Sequence, residues 1–225
     1  MRKDLRQSQL YIEKKGENGS FVPFLLVLLL IFSVFLNVRY YWVNTFGGVI
    51  VEGHSMDDTL FDGEKLLMKF TSSGAKAKRG DIIIVDVKAY RGSDKVKDNE
   101  DFKDTKFLIK RLIAIEGDVV RCTDGVISIQ YGGKGEFKTL NEPYAKYINR
   151  YNYDFKKDYV VGDGEIFFLG DNRDNSKDSR YNEPDGSHLN CLYSEKDIYG
   201  IVPDWAIEHR EILEFIFFRK EKEKK

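Results

Sequence analysis

A serine and a lysine dominate the chemistry open to this sequence. Ser55 lies in Val51-Glu52-Gly53-His54-Ser55-Met56-Asp57-Asp58-Thr59-Leu60, a glycine-framed polar turn. A serine hydroxyl is a weak nucleophile at neutral pH and needs a base within hydrogen-bond reach. Lys110 is the candidate base. At an ordinary pKa near 10.4, only about one lysine in a few thousand is neutral at pH 7, so the amine has to be desolvated; full burial lowers a lysine by ~3–5 units. In a strand, Leu108, Lys110, Leu112 and Ala114 share one face, an apolar row with no carboxylate beside the amine. The ordinary alternative is a strand lysine that snorkels to water. The apolar row and the glycine-framed serine together favour the buried amine.

His54 is the rival base. Neighbours in an extended segment point to opposite faces, which turns His54 away from the Ser55 hydroxyl. A Ser/His/Asp triad drawing on His188 or His209 stays open on spacing alone, because triads are recognised by geometry. A third polar stretch, GDNRDNSKDSR at 170–180, reads as an Asx-rich turn with Asp178 paired to Arg180. Its likeness to a calcium loop is faint, since Arg173 falls on a ligand position and no glycine or closing glutamate fits. Cys122 and Cys191 match no metal-ligand spacing, leaving one disulfide or two buried thiols. We expect neither metal nor cofactor.

The elements that must position these residues read mainly as β. Short apolar runs rich in Val, Ile and Phe, bounded by turn residues, predict strands at 64–70, 81–87, 106–115, 165–169 and 197–202. A hairpin is predicted at 119–130 about Thr123-Asp124-Gly125. Residues 88–105 read as a solvated excursion, and 131–163 as weakly periodic and peripheral, with no chemistry assigned. Ahead of the serine, residues 21–38 (FVPFLLVLLLIFSVFLNV) form an uncharged run close to the ~20 residues a helix needs to cross a bilayer. A cleaved signal peptide is the competing reading, but the run is long for one and Arg39-Tyr40-Tyr41-Trp42 follows where a small-x-small site would stand.

The expected organisation is therefore a cytoplasmic tail at 1–20, a transmembrane anchor helix at 21–41, a β-rich extracytoplasmic domain at 42–218 with a less constrained lobe at about 119–163, and a solvated tail at 219–225. Arg2, Lys3, Arg6, Lys14 and Lys15 outnumber Asp4, Glu13 and Glu17 ahead of the helix, which puts the N-terminus in the cytoplasm. The backbone from Arg39 to Ser55 reaches at most about 55 Å, so Ser55 is expected to work near the lipid surface. Beyond tail and anchor, roughly 185 residues suffice for one core. The 36 basic and 37 acidic residues nearly cancel, leaving none of the basic footprint of a nucleic-acid binder.

Four ordered blocks resemble the type I signal peptidases, membrane-anchored serine peptidases that remove signal peptides from exported proteins. They are GHSMDDTL around Ser55, Arg79-Gly80-Asp81-Ile82, KRLIAIEGD at 110–118 and GDNRDNSKDSR at 170–180, all following the anchor. The resemblance implies twisted antiparallel β-sheets, Ser55 as nucleophile and Lys110 as general base. It further implies that Ser176 hydrogen-bonds the lysine amine, that Asp178 and Arg180 hold the surrounding loop, and that the Ser55 amide contributes to the oxyanion hole. Gly53, Met56 and Arg111 fall among the supporting positions. The implied substrate is a preprotein segment lying extended beside sheet edges, with small side chains at the first and third positions before the cut.

The sequence departs from the family pattern in places. Gly53 stands where some relatives add a hydroxyl, Asp58 and Glu116 replace prolines, and Ala114 replaces a glycine. Asp57 and Asp58 would raise the lysine pKa if either approached it, and both are expected to point to solvent. Alternatives are a Ser/Lys peptidase that processes one dedicated membrane or surface client, and an inactive membrane-tethered scaffold. Nothing in the sequence bears on oligomeric state.

Overall fold

An apolar helix and two antiparallel sheets account for the regular structure. The computed structural model describes residues 21–74, 76–86, 107–147, 157–180 and 193–218. The chain divides into two units, Met1–Trp42 and Val43–Lys225. Helix α1 (Phe21–Thr45) runs past the expected end of the anchor, and its side chains are exposed from Phe21 to Asn44. It is long and apolar enough to cross a membrane. At ~1.5 Å per residue, its 25 residues exceed the ~30 Å hydrocarbon core.

The second unit carries a six-stranded sheet in the order β1-β2-β10-β3-β4-β9. Its strands are β1 (Phe46–Ile50), β2 (Lys65–Phe70), β3 (Ile82–Asp86), β4 (Phe107–Ile115), β9 (Ile166–Leu169) and β10 (Ile198–Val202). All its pairings are antiparallel. β3 is a continuous apolar run because it is flanked by β10 and β4 and covered on both faces. Ile82 and Ile84 pack with Leu66, Met68 and Val202, while Ile83 and Val85 pack with Leu112, Ile166 and Phe168. The short helices α2 (Asp204–Glu208) and α3 (Arg210–Leu213) add Ala206 and Leu213 to the first of these clusters.

The smaller sheet runs β7-β6-β5-β8, with β5 (Val119–Thr123), β6 (Val126–Gln130), β7 (Lys138–Thr139) and β8 (Tyr159–Val160). Asp124 and Gly125 both have positive φ, 52° and 68°, the signature of a type I′ turn whose twist suits the β5–β6 hairpin. Val120, Cys122, Ile127 and Ile129 bury its inner face against Phe167 and Leu169 of β9. Asp118 ties the sheets together. Wholly buried, it accepts from Arg79 Nε and Nη2 at 2.6 and 2.8 Å and from the amides of Ile115 and Gly132.

The structure corrects two readings. The register of β4 against β9 shifts between Leu112 and Ala114. This irregularity adds one residue, so Ala114 turns to the cluster around Val120 and Phe167 while Leu112 and Ile115 stay with Ile83. Ala114 therefore does not share the Lys110 face. Nor is all of 131–163 peripheral, because residues 142–147 lie against the 170–180 loop. Lys146 N donates to Asp171 O at 2.8 Å, and Arg173 N to Lys146 O at 2.9 Å. Cys122 is buried in β5, whereas Cys191, and with it the disulfide reading, lies outside the described residues, as do His188, 1–20, 88–105 and 219–225.

Candidate active site

Lys110 sits near the middle of β4, directly across from Ile83 of β3. It is 3% exposed. Its Nζ donates to Ser55 Oγ at 2.7 Å and to the carbonyl of Ile109 at 3.0 Å. Burial lowers its pKa to about 8, and the charges of Asp178 and then Asp171 offset part of that fall. At that value about a tenth of the amines are neutral at pH 7, hundreds of times more than for an ordinary lysine.

Ser55 is half-buried in a turn that Met56 roots in the core. Met56 is 1% exposed, and its carbonyl accepts from Thr59 N at 2.8 Å and Leu60 N at 2.9 Å. The Gly53 amide donates to Asp62 Oδ1 at 2.8 Å, so it is engaged within its own loop rather than aimed at a substrate oxygen. Loop 170–180 holds the turn from behind. Asn172 N donates to Ser55 O at 3.1 Å, and Asn172 Nδ2 to His54 O at 2.9 Å. Gly170 has no room for a side chain, because a Cβ there would lie 2.2 Å from Ser176 Oγ and 2.5 Å from Ser55 O.

Asp171 and Asp178 are the buried anions of this loop. Asp171 accepts from Arg111 Nε at 2.8 Å and Nη2 at 2.6 Å, and from the Thr59 hydroxyl at 2.6 Å. One carboxylate thus joins β4, the serine turn and the loop. Arg111 also donates to Gly80 O and lies over the Tyr144 ring at 3.9 Å. Asp178 accepts from Gly170 N, and from Nε and Nη2 of Arg180, each at 2.9 Å. Burial pushes the Asp178 carboxyl up, but Arg180 and its other donors outweigh this and hold it below the usual carboxylate range. Arg180 Nη2 continues to the carbonyl of Arg173.

The other expected residues fall differently. Ser176 Oγ is buried and makes no hydrogen bond to the Lys110 amine, which donates to Ser55 and the Ile109 carbonyl; Ser176 instead helps to hold the Asp178 carboxyl down. Asp57 does not point to solvent, since its side chain is 18% exposed, with Oδ2 3.3 Å from His54 Nδ1 and Oδ1 buried. His54 is thereby engaged with Asp57, on a turn rather than an extended segment. Asp58 is exposed and pairs with Lys146 at 2.9 Å. Asp171, Thr59, Glu142, Tyr144 and Tyr147 escaped the sequence reading; only the clustering of Asp and Arg at 170–180 hinted at such pairs.

An open cleft of about 290 Å³ leads to the hydroxyl, with walls from 51–56 and 108–110 and with Asn175 and Lys177 at its rim. Among the described residues, no group of His, Cys, Asp and Glu is placed to hold a metal ion. A buried base on a half-buried hydroxyl in an open cleft can carry out acyl transfer through a covalent serine intermediate.

The chain is similar to known proteins. Signal peptidase I of Bacillus licheniformis is 35% identical over 140 residues, which are 58% of this chain and 64% of that one. Signal peptidase I P of Bacillus subtilis subsp. natto is 27% identical over 200 residues, covering 85% and 92% respectively. A crystal structure of a signal peptidase I from Enterococcus faecalis V583 aligns with a TM-score of 0.36 and 22% identity, over 57% of this chain and 98% of that one. Residues 21–207 match the family described as Signal peptidase, peptidase S26, a span that takes in α1, the serine turn, β4 and loop 170–180. The chain belongs to this signal peptidase family, whose members are serine peptidases that remove signal peptides from preproteins.

Proposed function

We propose that this protein is a membrane-anchored endopeptidase that removes N-terminal signal peptides from exported preproteins, with Ser55 as nucleophile and neutral Lys110 as general base. The observation that carries this reading is the 2.7 Å contact between a buried amine and a serine hydroxyl that lines an open cleft. Lys110 takes the Ser55 proton as Oγ attacks the scissile carbonyl, and the resulting ammonium protonates the leaving amine. Water, deprotonated by the same amine, then releases the acyl group. The Ser55 amide is the assigned donor to the oxyanion, with Gly53, Met56, Ser176, Asp178 and Arg180 shaping the site around it.

The substrate is an extended segment with small side chains at the first and third positions before the cut. In support, β9 pairs only with residues from Arg111 onward, so 107–110 of β4 have β3 on one edge and, among the described strands, none on the other. A strand added there gains main-chain hydrogen bonds, while alternate side chains meet the cleft wall. Helix α1 is the single membrane anchor, with the basic tail in the cytoplasm and residues from about 42 outside it, so that lipid is the protein's second partner.

The test is cleavage of a reporter preprotein by the full-length protein in lipid vesicles. Ser55→Ala and Lys110→Ala are expected to abolish turnover, and His54→Ala to keep most of it. Loss with His54→Ala and survival with Lys110→Ala would move the base to His54.

A further inference from the structure

Two carboxylates act on Lys110 without touching it. Asp178 and Asp171 both favour its protonated form, against the larger opposing pull of burial. The side chains of both are fully shielded from water. An anion in such a place stabilises an ammonium strongly, because little solvent screens it. Yet each is gripped by a guanidinium through two nitrogens, Asp171 by Arg111 at 2.6 and 2.8 Å and Asp178 by Arg180 at 2.9 Å twice. Asp171 also accepts from the Thr59 hydroxyl, and Asp178 from the amides of Gly170 and Arg180.

The other groups around the amine do not duplicate this arrangement. From the serine turn, Glu52 and His54 stand at the cleft wall, with Asp57 held by His54. From loop 170–180, Lys177 reaches the rim and Arg173 is committed to Glu142. β3 presents only Ile83 opposite the lysine.

Resting on the reading of Lys110 as the base, we infer that Arg111 and Arg180 are electrostatic positioning residues: by pairing Asp171 and Asp178, they stop two buried negative charges from holding a proton on the lysine amine. The pair on Asp171 also fixes the serine turn through Thr59, so a single ion pair sets both the reach of the nucleophile and the availability of its base. Purely structural residues would lower the rate of cleavage without moving its pH dependence.

The experiment is the pH profile of kcat/KM, from pH 6 to 10, for the full-length protein in lipid vesicles. Wild type rises with pH through a midpoint near 8, as the amine loses its proton. Arg111→Gln leaves Asp171 unpaired and moves the midpoint to alkaline pH by about half a unit or more, while Asp171→Asn leaves Arg111 unpaired and moves it the opposite way. The double variant, with neither charge, returns close to the wild-type midpoint, whatever its plateau rate. Thermal melting checks that each variant folds; should Arg111→Gln not fold, the acid shift of Asp171→Asn decides alone. Lower plateaus at an unmoved midpoint overturn the inference and leave the proposed function standing. A wild-type protein that does not cleave overturns the proposed function itself, and with it the premise of this inference.

Discussion

Among the described residues, two cations of the second unit are withdrawn from water, and their pKa values move in opposite directions. Lys110 is 3% exposed and Arg173 is 1% exposed. Around Lys110 stand a hydroxyl, a main-chain carbonyl and Ile83, with the nearby carboxylates already engaged elsewhere, and its pKa falls to about 8. Around Arg173 the Glu142 carboxylate bonds both terminal nitrogens, Tyr147 contributes its hydroxyl and Gly170 its carbonyl. Burial pulls the guanidinium down as well, but the bond and charge of Glu142 outweigh it, and the net direction is upward. Burial sets the cost of the charge in both places. Whether a carboxylate touches the cation decides which way its pKa moves. The region around Lys110 is thus suited to proton transfer, and the region around Arg173 to holding 142–147 against 170–180.

Removing the cation whose pKa is lowered gives the largest effect. In Lys110→Met, cleavage falls by about a hundred- to ten-thousand-fold, while the folded state becomes more stable at neutral pH because no amine has to leave water. The folded pKa of about 8 lies below the ordinary lysine value of 10.5, so between these values the unfolded chain binds a proton that the folded chain has released. Wild-type stability therefore rises with pH across that window, by about 3 kcal/mol in all. The advantage of the Met variant is greatest below pH 8 and narrows towards pH 10.5. Denaturant unfolding at pH 7 and at pH 10 measures it. A Met variant less stable than wild type at pH 7 would mean that Lys110 is held like Arg173, and the contrast would collapse.

Removing the partner of Arg173 comes next, with the opposite sign. Glu142→Gln leaves a guanidinium buried without its carboxylate and costs about 3 kcal/mol. Arg173→Met combined with Glu142→Leu costs less, because no charge is then stranded. Thermal melts of the three proteins rank them. Equal losses in the single and double variants would show that packing, not charge pairing, holds this corner.

How far the sequence announces this arrangement varies with the range of the contacts. Strands β3, β9, β10 and the β5–β6 hairpin declare themselves through apolar runs and turn residues, because their partners cover them evenly. β1 does not: FGGVI carries two glycines and becomes a strand only by pairing with β2. β7 and β8 have two residues each and exist by virtue of their neighbours. The irregularity that turns Ala114 away from Lys110 has no periodic signal at all. In the site, the chemistry of a serine without a nearby base pointed to a distant lysine, and the pairing of Asp178 with Arg180 is local enough to read. The bond of Arg111 to Asp171, and of Arg173 to Glu142, depends on how two sheets and a loop meet. A motif rich in Asp and Arg does not say which acid meets which base.

The smallest expected effect tests whether any ion pair between these regions would do. Lys146 and Asp58 meet at 2.9 Å and link the 142–147 segment to the serine turn, as Asp171 does from within. The difference is solvent: the Asp58 and Lys146 side chains are 68% and 43% exposed, whereas that of Asp171 is fully buried. Water and salt screen an exposed pair, and ordering two mobile side chains consumes what attraction remains. The link that matters also survives without the Lys146 side chain, since its main chain still joins Asp171 and Arg173. Lys146→Gln is accordingly expected to leave both the cleavage rate and the melting temperature unchanged within error, at low and at high salt. If cleavage falls at low salt and recovers nothing on adding more, the surface pair is positioning Ser55, and the division between a catalytic region that loosens its proton and a structural one that holds its charge does not stand.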